Sequence, residues 1–300
     1  MQKKAWDDIL EKLIKQSEFT TQVNERGYYL SPKGISFTDY CIKNWNVTTT
    51  RNTAAFLSIN FWREQSKVLR DDQKYLVRTG EGTFAIFNET EFPRPYLRLD
   101  EQRLAAEATR LAGEVPTGYE DLKYLFESTH TEDATIEYLR FAGIYDKVIE
   151  SITGIRHSYV GGIRGGTTVE FDLYLRKKSG LVVKVDRYVG QAELDSSIWT
   201  AGDDSGANGI FLFEAKKGLA GQGLDVGWHK FAYPAAKLMK YGEKLSIYPV
   251  YLLKRPAYIL LVVFPRLMFH LRTGIVLNDP AQMNPVRSFL IPMQATIADF

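Results

Sequence analysis

The chain has 300 residues, 45% of them hydrophobic, and a net charge of +2, which is enough to bury a sizeable core in one large or two modest domains. A near-neutral balance excludes a general polyanion-binding surface, so a nucleic-acid partner would need locally clustered cations. The single cysteine, Cys41, excludes an internal disulfide framework and a cysteine-based zinc site.

From the N-terminus, residues 6–16 carry apolar side chains at helical spacing inside a segment charged throughout, which reads as an amphipathic helix rather than a secretory signal. Residues 27–33 and 92–95 are breakers. Between them the pattern predicts a helix over 51–69 and strands over 75–78 and 83–88. Further helices are expected over 98–112, closed by Gly113, and over 118–127.

Residues 132–142 and 144–152 then form a two-helix pattern broken at Gly143. The segment 131–154 has the spacing of a helix–turn–helix, which can place a helix in the DNA major groove, and equally that of an ordinary helical hairpin.

From Thr167 the period becomes that of strands: 167–176, 181–195 and 210–216, then a helix over 227–241 and strands over 247–253 and 258–264. With the preceding helix the order is αβββαβ, an α/β fold of mixed α+β character. That order competes for the helix ending at Ile152, which serves either as a recognition helix or as part of the core. The apolar run 258–265 is too short to span a bilayer, so a soluble, cytoplasmic protein is expected.

The segment 189–218, VGQAELDSSIWTAGDDSGANGIFLFEAKKG, carries the chemistry. In an extended chain residues i and i+2 share a face, so Glu214 and Lys216 point the same way, as do Glu193 and Asp195. Pairing of the two strands would gather two or three carboxylates and an ammonium. Such oxygen ligands suit Mg²⁺, and the arrangement points to a metal-dependent phosphodiesterase. The acid-x-Lys triplet also occurs at Asp72 and Asp121, but only Glu214 and Lys216 end a continuous apolar strand, where charge is costly unless it serves a site.

An acidic strand end followed by Glu-x-Lys on the next strand resembles the PD-(D/E)XK nuclease superfamily, whose core order is αβββαβ. The segments VGGIRGGTTVEFDLYL (160–175), GQAELD (190–195), FEAKKG (213–218) and WHKFAYPAAKLMKYGEK (228–244) resemble, in the same order, a group of type II restriction endonucleases, and the likeness covers about residues 155–265. Leu194 stands where the family's proline would. The long loop before Glu214 carries Asp203 and Asp204, which leaves the first metal ligand open.

The resemblance implies a catalytic domain over 155–300 behind a DNA-recognition domain over 1–154. It implies that Asp195 and Glu214, with the Ala215 carbonyl, hold Mg²⁺ (Mn²⁺ substituting), and that Lys216 positions or activates the attacking water. Glu193 would ligate the ion, accept from Lys216 or bind a second ion. It further implies duplex DNA as substrate, a homodimer matched to a palindromic site, and a companion DNA methyltransferase in the same system.

Candidate DNA contacts are Arg164 in the glycine-rich turn 161–166, the adjacent Arg156 and His157, and Gln191. On the helix after Glu-x-Lys they are His229, Lys230, Tyr233 and Lys237, with Lys240 beyond, set against the plain reading of a solvated cationic face. Arg51, Arg63, Arg70 and Arg94 are the basic positions of the first half. A structure-specific repair nuclease and a non-catalytic DNA-binding regulator are the competing functions.

Overall fold

The structure, a computed structural model, describes residues 28–30, 60–80, 83–114, 131–154, 158–161, 165–201, 209–241, 245–271 and 273–293. Only the backbone is described for 28–30, 158–161, 201, 240 and 241. The helices expected over 6–16 and 118–127 lie outside these residues.

In chain order the elements are β1 (Tyr28–Leu30), a 3₁₀ turn (Trp62–Glu64), α1 (Lys67–Asp71), β2 (Lys74–Gly80), β3 (Thr83–Asn88), α2 (Glu101–Glu107) and β4 (Thr109–Arg110). Then come α3 (Glu132–Phe141), α4 (Ile144–Thr153), β5 (Ser158–Gly161), β6 (Gly165–Arg176), β7 (Val182–Leu194), β8 (Ser196–Ala201) and β9 (Gly209–Lys217). The chain continues through α5 (His229–Ala235), a 3₁₀ turn (Ala236–Tyr241), β10 (Ser246–Lys254), β11 (Tyr258–Val263), β12 (Gly274–Val276), α6 (Pro280–Met283) and β13 (Arg287–Pro292).

The fold is mixed α/β. Its main sheet has seven strands in the order β4-β13-β11-β10-β9-β8-β5, flanked by the three-stranded sheets β12-β6-β7 and β1-β3-β2. The expected helix, three strands, helix and strand are present as α4, β6, β7, β9, α5 and β10, with β5 and β8 added. β9 runs antiparallel to β8 and parallel to β10, and α5 lies on the crossover between β9 and β10. The β6–β7 hairpin is long, and its second strand turns at Asp195 straight into β8, so the two sheets meet at that residue.

Strand β9, GIFLFEAKK, is buried from Gly209 to Ala215 because both faces are covered. Phe211, Phe213 and Ala215 pack with Ile136, Leu139, Val148 and Ile149 of α3 and α4, while Ile210 and Leu212 pack with Ala235 and Leu267. Thr131 caps α3 by accepting from the Ala134 N–H at 3.1 Å. Gly143, at φ 64°, makes the left-handed turn into α4. Pro234 inside α5 lacks an N–H, and after Ala235 the helix tightens into a 3₁₀ turn.

These packings bear on two expectations. The pair α3–α4 buries its apolar stripe on the main sheet and is part of the core, and the outward side of α4 carries Asp146 and Glu150, a poor match to DNA phosphates. Across the boundary expected at 154, Tyr75, Phe87 and Leu104 share one apolar cluster with Leu173, Trp228 and Tyr251. Two helices are shorter than expected. Within 60–71 the α-helix is limited to α1, and α2 ends at Glu107 because Thr109 and Arg110 pair with β13 instead.

A buried ion pair fixes the loop that follows β9. Glu101 on α2 accepts from the Arg255 guanidinium, from the Gly221 N–H at 2.9 Å and from the Tyr258 hydroxyl at 2.8 Å. Arg255 also donates to the carbonyls of Gly218 (3.2 Å) and Gln222 (2.7 Å). Burial raises the Glu101 carboxyl, but these donors outweigh it and hold it below the usual carboxylate value. Its stabilisation is therefore present above the ordinary glutamate range and lost as pH falls through the lowered value. Glu101→Gln should cost about 3–5 kcal/mol in urea unfolding at neutral pH, because it strands the Arg255 charge, and the gap to the parent protein should close in acid. Equal stability at neutral pH would show that the pair does not hold this loop.

Candidate active site

The β8–β9 register pairs Ser196 with Phe213, and one step further along it sets Asp195 across from Glu214. The Asp195 Oδ2 accepts from the Ala215 N–H at 2.8 Å, which ties the β7–β8 bend to the end of β9. Glu214 and Lys216 share a face as expected, with Nζ 3.0 Å from Glu214 Oε1 and 3.7 Å from Asp195 Oδ2. Asp195, Glu214, Ala215 and Lys216 are thus brought together.

Two residues join this cluster that the sequence did not assign to it or assigned elsewhere. Glu132, the first residue of α3, places Oε2 3.1 Å from Lys216 Nζ. Its only local signal is a glutamate directly behind a capping threonine; the contact exists because α3 packs against β9. Lys230, expected to meet DNA from the surface of α5, instead lies 3.4 Å from Glu214 Oε1 with its side chain 15% exposed.

The floor of the site is Glu214, 0% exposed, and neither of its oxygens makes a hydrogen bond among the described residues. Asp195 and Glu132 form its solvent side, at 28% and 35% side-chain exposure. Burial pushes the Glu214 carboxyl up, opposed by Lys230 and Lys216. For Lys216 burial acts downward, but the charges of Glu214, Asp195 and Glu132 prevail and hold the ammonium above its ordinary value. Lys216 is therefore a positive charge and a donor at neutral pH, not a base.

Glu193 is not gathered in. It is exposed on β7 opposite Gly166, and among the described residues no hydrogen bond or ion pair joins it to the cluster. The chain bends at Asp195, so the period-two face that held Glu193 and Asp195 together in the sequence ends there. Gln191 is also exposed, and its backbone carbonyl accepts from the Tyr188 hydroxyl and from Arg78.

Two candidates on α5 are corrected. Tyr233 is 3% exposed, packed at a tilt against Phe171 and Tyr188, and its hydroxyl donates to the Arg78 carbonyl at 2.6 Å, so it is a core residue. His229 packs on Tyr233, and burial, with Lys230 and Arg78, pushes its imidazole down to about 3. It is neutral and supplies no charge to a phosphate. Its ring resonances should stay flat in an NMR titration between about pH 5 and pH 8, where an ordinary histidine titrates; a titrating signal would restore it as a cationic contact.

Lys237 is exposed beside Arg187 at a cleft of about 700 Å³ along β6 and β7, where it donates to the Thr168 carbonyl at 3.4 Å. Another cleft, of about 470 Å³, is lined by Arg94, Arg98 and Arg103, and neither cleft includes the carboxylate cluster. Arg63, Arg70 and Arg94 bond to Gly221, to Gln65 and over the Trp62 ring respectively. Arg51, Arg156, His157, Arg164, Asp203, Asp204 and the side chain of Lys240 lie outside the described residues.

Among the described residues no three His, Cys, Asp or Glu side chains converge as a ready-made metal-ligand group, because the Lys216 ammonium stands between the carboxylates. The donor chemistry nonetheless fits Mg²⁺: two carboxylates and a backbone carbonyl are hard oxygen ligands, and the buried Glu214 oxygens have no hydrogen bond to give up. Among the described residues no helix is long and apolar enough to cross a membrane. Comparison of the chain with protein-family models, curated proteins and solved structures yields no match.

Proposed function

We propose that the protein is a Mg²⁺-dependent endonuclease of the PD-(D/E)XK kind that hydrolyses phosphodiester bonds of duplex DNA at a specific short sequence, as a type II restriction enzyme does. One observation carries the reading. Asp195 and Glu214, picked out with Lys216 as an acidic strand end and a Glu-x-Lys triplet, both lie within 3.7 Å of Lys216 Nζ, and buried charge in an apolar sheet is costly unless it serves a site.

In this reading Asp195, Glu214 and the Ala215 carbonyl hold Mg²⁺, or Mn²⁺ in its place. The bound ion would neutralise phosphate charge and make a water more acidic. Asp195 is fixed by the Ala215 N–H, so the two metal-holding strands keep one register. Lys216 keeps the carboxylates together and orients water by donation. Gln191, Lys237 and, outside the described residues, Arg156, His157 and Arg164 are the remaining candidates for contact with DNA. A homodimer acting in the cytoplasm, beside a companion methyltransferase, completes the proposal.

The test is incubation of purified protein with plasmid DNA and Mg²⁺. Discrete fragments that vanish in Lys216→Ala support the reading. Smeared products, or preference for branched and mismatched duplexes, favour a structure-specific nuclease. Specific binding with no cleavage in Mg²⁺ or Mn²⁺ favours a regulator on the same scaffold.

A further inference from the structure

We propose that Lys230, not the lysine of the Glu-x-Lys triplet, is the ammonium that meets the phosphoryl group during hydrolysis, a proposal that rests on the phosphodiesterase reading of this site. An ammonium has three protons to donate. Lys216 Nζ already has three oxygens within reach: the Ala215 carbonyl at 2.6 Å, Glu214 Oε1 at 3.0 Å and Glu132 Oε2 at 3.1 Å. Turning its protons toward substrate would loosen its hydrogen bonds to the Ala215 carbonyl and Glu132 Oε2 or its ion pair with the fully buried Glu214.

Lys230 is placed differently. It projects from the first turn of α5 to within 3.4 Å of Glu214 Oε1, yet among the described residues its Nζ makes no hydrogen bond. The contact is one of charge, and the donors of Lys230 have no hydrogen-bond acceptor among the described residues. With side-chain exposure of 15% it is largely stripped of water, the condition under which a fixed charge acts most strongly on charge that develops in a transition state. No other side chain of that first turn does the same: His229 is neutral, and Phe231 and Ala232 are buried apolar groups.

In the step itself the water oxygen bonds to phosphorus and the bridging P–O bond breaks. One water proton ends on the departing oxygen and the other is released to solvent. Lys230 gives a hydrogen bond to a non-bridging oxygen and transfers no proton. It is thus a catalytic residue by contact with the reacting group, while Lys216 is a positioning residue.

The experiment compares Lys230→Met and Lys230→Gln with the parent protein on plasmid DNA in Mg²⁺. Mn²⁺ affinity is measured separately by calorimetry without DNA, and folding by circular dichroism. The expected result is a kcat lower by about 10²–10³-fold, with KM changed only a few-fold. Mn²⁺ affinity should be retained or tighter, and Lys230→Arg should recover part of the rate. Full kcat in both folded variants overturns the proposal. So does a rate loss that follows a matching loss of Mn²⁺ affinity, which would make Lys230 a counter-ion of Glu214. A parent protein that cuts no DNA in Mg²⁺ or Mn²⁺ removes the phosphodiesterase reading and this proposal together, whereas cleavage that survives loss of Lys230 removes the proposal alone.

Discussion

Replacing Glu214 by glutamine should lower Mg²⁺-dependent DNA cleavage by at least about 10³-fold, the several kcal/mol that a metal ion contributes to charge stabilisation in such a step. The same change should leave the metal-free protein as stable as the parent or more so. Glu214 is fully buried, and its ion pairs with Lys216 and Lys230 offset only part of the cost of stripping water from the carboxylate, since burial still holds its carboxyl above the ordinary value. Glutamine keeps the shape and removes the charge. Lys216 retains Glu132 and Asp195 as partners, whereas Lys230 loses the one ion pair it has among the described residues, the part of the change that works against stability.

The pH dependence has a definite sign. Burial raises the Glu214 carboxyl in the folded state, so between its ordinary and its raised value the folded protein binds the extra proton and stability falls as pH rises. In buffer with EDTA, the advantage of Glu214→Gln in urea unfolding should therefore be smallest in acid and grow as pH climbs through the raised value. Mg²⁺ should stabilise the parent and not the variant, because binding to the folded state alone adds stability. A Glu214→Gln protein that still cuts DNA, or that still gains stability from Mg²⁺, would dismiss Glu214 as a metal ligand.

What the sequence made legible is what a short window contains. The apolar run before Glu214 marked β9, and the period-two stretches marked β6 and β7 to within about two residues, because each strand's pattern is set by faces that its own residues cover. The Glu-x-Lys pair was readable for the same reason. Whatever depends on how distant elements dock was not readable. Glu132 reaches Lys216 only because α3 lies on β9, and its contact spans 84 positions of chain.

The helix–turn–helix expectation shows the same limit from the other side. Both helices lie where their periodicity put them, yet Ile136, Leu139, Val148 and Ile149 make an apolar stripe too well matched to the main sheet to stand free as a DNA-reading module. On α5 the basic and aromatic residues suggested one surface. The helix instead turns Tyr233 into the core, Lys230 toward Glu214 and, in the turn that follows, Lys237 to solvent. Strand β8, read as loop, is a six-residue SSIWTA segment that pairs because Asp195 turns the chain back beside β9.

Lys216→Met is expected to have the other large effect, on stability as much as on activity. Lys216 is the charge that lets Glu132, Asp195 and Glu214 lie together, and removing it leaves the fully buried Glu214 carboxylate beside two others with only Lys230 to answer it, a cost of about 3–5 kcal/mol. Those carboxylates hold the lysine above its ordinary value, so its contribution is complete below the normal lysine range and disappears only as pH rises through the raised value. The stability gap between parent and variant should thus be constant through neutral pH and narrow only in strong alkali. With the ammonium gone the carboxylates become a better cation site, and Mg²⁺ should return part of the loss, about 2.7 kcal/mol at a hundredfold excess over Kd. Adding Glu132→Gln to Lys216→Met should cost less than the sum of the single changes, since it relieves one of the stranded carboxylates. Urea unfolding of the four proteins with EDTA and with Mg²⁺ measures all of this at once. A Lys216→Met protein as stable as its parent without metal, and no more responsive to Mg²⁺, would mean that the three carboxylates do not depend on the ammonium that stands between them.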